Sequence, residues 1–184
     1  MATIMANGSV TFGDGTSQNS AASSGFSNIV MYTANTSWTV PANIKKCKVT
    51  VIGGGGGGAA YNGSALGGGG GSGGISISYL TTVPADIFTV TVGTGGATSS
   101  VGNLSKFSNA SVSIIATGGG AGGAAGVVGV GGTSSGGELN MSGLSGSGIL
   151  YGRSGFGVLG IGGWGGGTVF QPTSGNVGAI IIEY

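Results

Sequence analysis

The stretch Ile44-Lys45-Lys46-Cys47-Lys48-Val49-Thr50-Val51-Ile52 runs straight into six glycines, Gly53 to Gly58, and so joins the two kinds of segment from which most of the chain is built. Cys47, Val49 and Val51 fall on one side of an extended strand, with Lys46, Lys48 and Thr50 on the other. That period of two marks a strand with one buried face. The glycines that follow carry no such pattern. A glycine costs about 1 kcal/mol relative to alanine even in a helix interior, so a run of six has to do something that a side chain would prevent.

Outward from this junction the same alternation recurs in short stretches bounded by glycine or proline. Ile75, Ile77 and Tyr79 oppose Ser76 and Ser78; Phe88, Val90 and Val92 alternate with Thr89 and Thr91; Val112 and Ile114 alternate with Ser111 and Ser113. The chain ends on Ile180, Ile182 and Tyr184, with Glu183 the one outward charge. No stretch has a helical period. The pattern predicts an all-β protein, an antiparallel sandwich-like framework whose inner face is aliphatic and whose outer face is Ser/Thr. Lys45, Lys46 and Lys48 are expected to keep a strand edge soluble and unpaired, and Cys47 to be a small buried hydrophobe.

Glycine supplies 47 of the 184 residues, and only Gly8, Gly13, Gly15 and Gly25 precede residue 52. Collagen is excluded, because the glycines come in runs and there are only three prolines. Disorder is disfavoured by 39% apolar residues against 5% charged. A glycine chain can adopt polyproline II geometry, which has no internal hydrogen bonds, so several such helices must lie side by side to satisfy one another's amides. The runs at 53–58, 67–74, 118–123, 131–137 and 162–167 are each expected to supply one such rod. Val127, Val128, Val130, Leu139, Ile161 and Trp164, interspersed among them, argue against a solvated linker.

Four acids, five bases, one cysteine and no histidine exclude a Ser-His-Asp or Cys-His nucleophile site, a His/Cys zinc site and a disulfide. Repeated GxGxxG spacings lack the helix and distal acid of a dinucleotide site, and there is no Gly-Lys-Ser/Thr phosphate loop. Asp14, Asp86, Glu138 and Glu183 offer no convincing carboxylate pair for glycoside hydrolysis. No enzyme activity, cofactor or metal is expected. A net charge of +1 gives no footprint for nucleic acid. The uncharged stretch between Lys106 and Glu138 is too rich in Gly, Ala, Ser and Thr for membrane insertion. The first residues lack the basic and apolar segments of a signal peptide, so synthesis in the cytoplasm of the producing cell is expected.

Residues 1–28 are polar and turn-rich, with a tight turn expected at Gly13-Asp14-Gly15-Thr16 and no strand period of useful length. They read as an attachment arm ahead of a domain at 29–184. Within the arm Val10, Phe12, Asp14 and Phe26 are the candidates for docking on a partner protein or on sister subunits, with a homotrimer as the expected assembly in the second case. Between 139 and 174, Tyr151, Arg153, Phe156, Trp164, Phe170 and Gln171 sit among glycines with no alternation. Side chains of that size have no room inside packed rods. They either project from loops as binding anchors or pack on the bundle. Tyr61, Asn62 and Leu66, between the first two runs, form a second loop of the same kind.

Trp38-Thr39-Val40-Pro41, then Ile44 to Ile52 and six glycines, resembles the opening of the glycine-rich domain at the tips of bacteriophage tail fibres. FTVTVGTGG at Phe88 to Gly96, IIATGGGAGG at Ile114 to Gly123 and GAIIIEY at Gly178 to Tyr184 are similar to the same family. VTFGDGTSQNSAA at Val10 to Ala22 resembles a stretch common in phage fibre and adhesin proteins just before such a domain. The resemblance covers roughly residues 29–184. It implies a virion adhesin whose β-framework and rods present loops to a host surface protein or glycan receptor. Many members end a long fibre, and this chain has no shaft, which implies mounting on another tail-fibre or baseplate protein. A purely structural virion component, such as a fibre cap or baseplate joint, is the alternative.

Overall fold

The structure, a computed structural model, describes residues 25–63, 66–147, 159–160, 162–163 and 171–184, and places residues 4–6, 9–11 and 17–18 in strands. Among the described residues there is no helix. Near the N-terminus β1 (Ile4–Ala6), β2 (Ser9–Thr11) and β3 (Ser17–Gln18) form a small antiparallel meander. The arm therefore holds short strands where the sequence pattern predicted none, because two or three residues are too few to register as a period. Phe12 and Asp14, and the turn expected around them, lie outside the described residues.

Two five-stranded antiparallel sheets carry the core. The first joins β5 (Thr36–Thr39), β8 (Ile87–Thr91), β9 (Ser105–Ser108), β10 (Ser113–Ala116) and β11 (Ser134–Ser135) in the order β11-β10-β9-β8-β5. The second joins β4 (Ile29–Tyr32), β6 (Lys46–Ile52), β7 (Ile75–Thr81), β12 (Leu139–Met141) and β13 (Ala179–Glu183) in the order β12-β7-β6-β13-β4. Between them lies one cluster: Trp38, Phe88, Val90, Phe107 and Ile114 from the first sheet meet Cys47, Val49, Val51, Ile180 and Ile182 from the second. Phe88 and Phe107 stack with centroids 4.6 Å apart, and Trp38 tilts against both and against Tyr184. The sandwich expected from the period-two strands is what forms, with the predicted inward residues of β6, β8 and β13 buried.

Two expectations are corrected. In β7 the serines face inward: Ser76 is fully buried, while Tyr79 on the opposite face is 62% exposed. Register is the cause, since Val51 pairs with Ser76 and Val49 with Ser78, so the face shared with the buried valines takes the hydroxyls. Nor do the lysines guard an edge. β6 lies between β7 and β13, and the edges of its sheet are β12 and β4. Lys48 is instead held by Glu183, directly opposite on β13, with Nζ 2.6 Å from the carboxylate.

The glycine runs at 53–58 and 67–74 are packed, not solvated, whereas the stretch 131–137, expected to be one rod, is interrupted by β11, and of 162–167 only Gly162 and Gly163 are described. Residues 53–59 and 67–74 are buried throughout, and their amides donate to neighbouring runs in rotation. Gly53, Gly56 and Ala59 donate to the carbonyls of Gly74, Gly71 and Gly68; Gly54 and Gly57 donate to Asn103 and Ser100; Gly55 and Gly58 donate to Asn176 and Thr173. Every third amide thus meets the same neighbour. Run 67–74 repeats the scheme: Gly68, Gly71 and Gly74 donate to Gly123, Gly120 and Thr117, and Ser72 and Gly69 to Leu144 and Ser147. A β-carbon on Gly53, Gly54, Gly56 or Gly57 would fall on a backbone carbonyl of an adjoining run. Space is what these positions demand, and the φ angles there stay out of the left-handed region. Of the apolar residues interspersed among the runs, Val127, Val130 and Leu139 are exposed, and Ile161 and Trp164 lie outside the described residues.

Candidate functional site

Hydrogen-bond register gives the molecule two ends. Ile52, Ile75 and Ala179 lie level with one another in the second sheet, and Ala116 lies level with Ser105 in the first. The stretches that begin after Ile52 and Ala116 and those that end before Ile75, Ser105 and Ala179 therefore leave the sandwich from one end. At the other end Ile29 pairs with Glu183, and the amides of Ser27 and Asn28 donate to the Tyr184 carbonyl. Residues 25–28 therefore join the sandwich opposite the runs.

At the free end of the runs lie residues 60–63 and 66, the turns at 97–99 and 124–126, and the segment from Gln171. The turns are tied together through the backbone: Gly126 donates to the Leu66 carbonyl, Ser99 to that of Gly58, and Gly58 to that of Thr173. Ser99 (φ 59°) and Ala125 (φ 56°) hold left-handed conformations that non-glycine residues seldom adopt. Such strain is kept where the surroundings dictate the shape.

Four of the residues singled out as receptor candidates lie in the described part. Tyr61 and Asn62 follow the first run and Leu66 precedes the second, and Gln171 is exposed on the segment that reaches Gly58 through Thr173. Gln171, more than a hundred positions from Tyr61, Asn62 and Leu66 in the chain, lies at the same end of the bundle. The Tyr61 hydroxyl donates to the Gly63 carbonyl at 2.7 Å, which folds the ring onto its own turn. Tyr151, Arg153, Phe156, Trp164 and Phe170 fall outside the described residues. No charged side chain occurs at 60–66, 97–100, 124–127 or 171–174.

Of the attachment candidates, Val10 lies in β2. Phe26, at the opposite end from the turns, stacks on Tyr79 with centroids 6.4 Å apart. Beside that pair Lys45 and Lys46 border a cavity of about 790 Å³. Sequence reasoning missed the Phe26–Tyr79 contact, because Tyr79 was assigned to the buried face of β7. It also missed Ser99 and Ala125, which carry no residue-type signal for a left-handed turn.

Cys47 and Glu138 are engaged within the fold. Burial pushes the Cys47 thiol up to about 11, so it is protonated and inert at neutral pH. The Glu138 carboxyl is held below its ordinary range by hydrogen bonds, first from the Ser78 hydroxyl, then from the backbone amides of Glu138 itself and Tyr79. Among the described residues no three His, Cys, Asp or Glu side chains cluster as metal ligands would.

A family model described as a glycine-rich domain matches residues 31–182. No curated protein matches the chain.

Proposed function

Starting from a chain that belongs to the glycine-rich domain family, we propose that it is a phage tail-fibre tip adhesin, a receptor-binding protein whose glycine runs are polyproline II-type helices packed as a bundle. The rotation of hydrogen-bond partners every three residues supports that geometry, since three residues complete one turn. The observation that carries the function is the molecule's polarity. The arm joins one end of the sandwich, and the turns bearing Tyr61, Asn62, Leu66 and Gln171 gather at the far end of the bundle. Seven residues of strand at about 3.3 Å each, followed by seven of rod at about 3.1 Å, separate the two by on the order of 40 Å. An adhesin needs this arrangement, a mount at one end and a rigid display at the other.

The display surface is uncharged in its described part, so its affinity for a host surface protein or glycan comes from apolar contact and hydrogen bonds and varies little with salt. Competition for adsorption tests the reading. Purified protein should block virions from intact host cells, and Tyr61→Ala or Gln171→Ala should weaken the block by about fivefold or more, on the order of 1 kcal/mol, at unchanged melting temperature. A protein lacking residues 1–24 should still block adsorption but fail to join virions. No competition by the intact protein, with normal incorporation, would make it a structural cap instead.

A further inference from the structure

The two sheets of the sandwich present unlike outer faces. In the first sheet a row of paired positions on the outer side reads Ser37, Thr89, Ser108 and Ser113 across four strands, a hydroxyl surface that water accommodates. In the second sheet a row crosses all five strands as Met31, Ile181, Thr50, Ile77 and Leu139, and the row beside it reads Ile29, Glu183, Lys48 and Tyr79. These positions alternate along their strands with the buried Val49, Val51, Ser76, Ser78, Ile180 and Ile182, so they point away from the core. Ile29, Met31, Tyr79 and Leu139 are each at least half exposed. Together with Phe26, which stacks on Tyr79, they offer on the order of 600 Å² of apolar surface, the most that a monomer ordinarily leaves in one patch.

Charge selects the occupant. Within these two rows the charged residues are Lys48 and Glu183, opposite one another on adjacent strands and already joined. A foreign apolar partner would bury that pair at a cost, whereas a second copy brings charges that complement it. A half-turn about an axis between β6 and β13, parallel to the strands, lays β6 of each copy over β13 of the other and β7 over β4, with every residue kept at its own level. Lys48 of each copy then stands over Glu183 of the other, and four charges alternate in sign. The same rotation sets Ile77 over Met31, Thr50 over Ile181 and Tyr79 over Ile29, as the register within the sheet requires. Two sheets of the same twist pack in this manner, aligned to within about 30°. Lys46 and Glu138, both exposed, fall at the margin, where interfaces keep a polar rim.

We propose that this face is a twofold interface between two copies of the chain. Because the axis runs along the strands, residues 25–28 of both copies lie at one end of the dimer and both sets of turns at the other. The two patches together bury on the order of 1,200 Å², the lower end of a standard interface. The pairing holds whether or not the turns bind a receptor.

Sedimentation equilibrium of the intact chain tests the interface through its charges. The parent should pass from monomer to dimer between about 1 and 100 µM. Lys48→Glu alone brings four carboxylates together at the axis and Glu183→Lys alone four ammonium groups, so each variant should dimerise at least about tenfold more weakly. Mixed one to one, the two variants restore the alternation and should form a heterodimer with close to the parent's affinity. Met31→Gln with Ile77→Gln, which alters no charge, should weaken the parent dimer at least about tenfold. Val130→Glu, exposed on the bundle, should leave it unchanged. A parent that stays monomeric at about 100 µM overturns the proposal, as does a trimer. So does an oligomer that Met31→Gln with Ile77→Gln leaves intact, since association would then use another surface, and so does a mixture of the two charge variants, each folded by circular dichroism, that stays unpaired.

Discussion

Gly56 has no room for a methyl group. Its amide donates to Gly71, its carbonyl accepts from Gly163, and a β-carbon would land on the carbonyl of Gly120, so three runs meet at one residue. None of the three can retreat, because each is bonded in turn to other runs. Gly56→Ala is therefore expected to cost about 3 kcal/mol or more, at or beyond the upper end of ordinary core overpacking. Gly25 offers the contrast. Nothing lies within 4 Å of a β-carbon there, and only its φ of +50° opposes a side chain, so Gly25→Ala should cost about 1–2 kcal/mol. Chemical denaturation of the two variants checks the ordering. Equal costs would mean that the runs can part to admit a side chain.

At the scale of strands, the Lys48–Glu183 pair couples β6 to β13 across the sheet. The hydrogen bond to Glu183 raises the Lys48 pKa above its ordinary value, against a smaller opposing effect of burial. A raised pKa in the folded state means that the pair's contribution is present below the unfolded lysine value of about 10.4, and is lost as pH rises through the folded one. Both side chains are partly exposed, so a double-mutant cycle with Lys48→Met and Glu183→Gln should give about 0.2–1 kcal/mol at neutral pH. The coupling should fade on the alkaline side of pH 10. A coupling that persists there would show that the pair is held by packing of the stems and not by charge. Sequence alone made most of this scale legible. The period-two faces of β6, β8 and β13 were readable because one face is large and apolar and the other is not. β7 misled because isoleucine lies on one face and serine on the other, and its parity is dictated by register with β6, which no local pattern encodes. The site was legible as turns between runs, yet the convergence of Tyr61 and Gln171 depends on hydrogen bonds between stretches over a hundred residues apart.

The whole molecule has two cores of different chemistry in series. The sandwich buries the aliphatic and aromatic side chains of Val49, Phe88, Phe107 and Ile180, and loss of Phe107 there should behave as in any hydrophobic interior. The bundle buries amides. Heat capacity distinguishes them, because exposure of apolar surface raises it on unfolding while exposure of polar surface lowers it. An ordinary chain of this length would show about 2.2–2.8 kcal/mol/K. Here the two contributions oppose one another, and calorimetry should give a value below about 2 kcal/mol/K. The stability curve flattens accordingly, so the temperature of cold denaturation falls and that of heat denaturation rises for the same maximum stability. A bundle that buries peptide groups in place of hydrocarbon thereby gives a protein whose shape is nearly indifferent to the temperature at which it works.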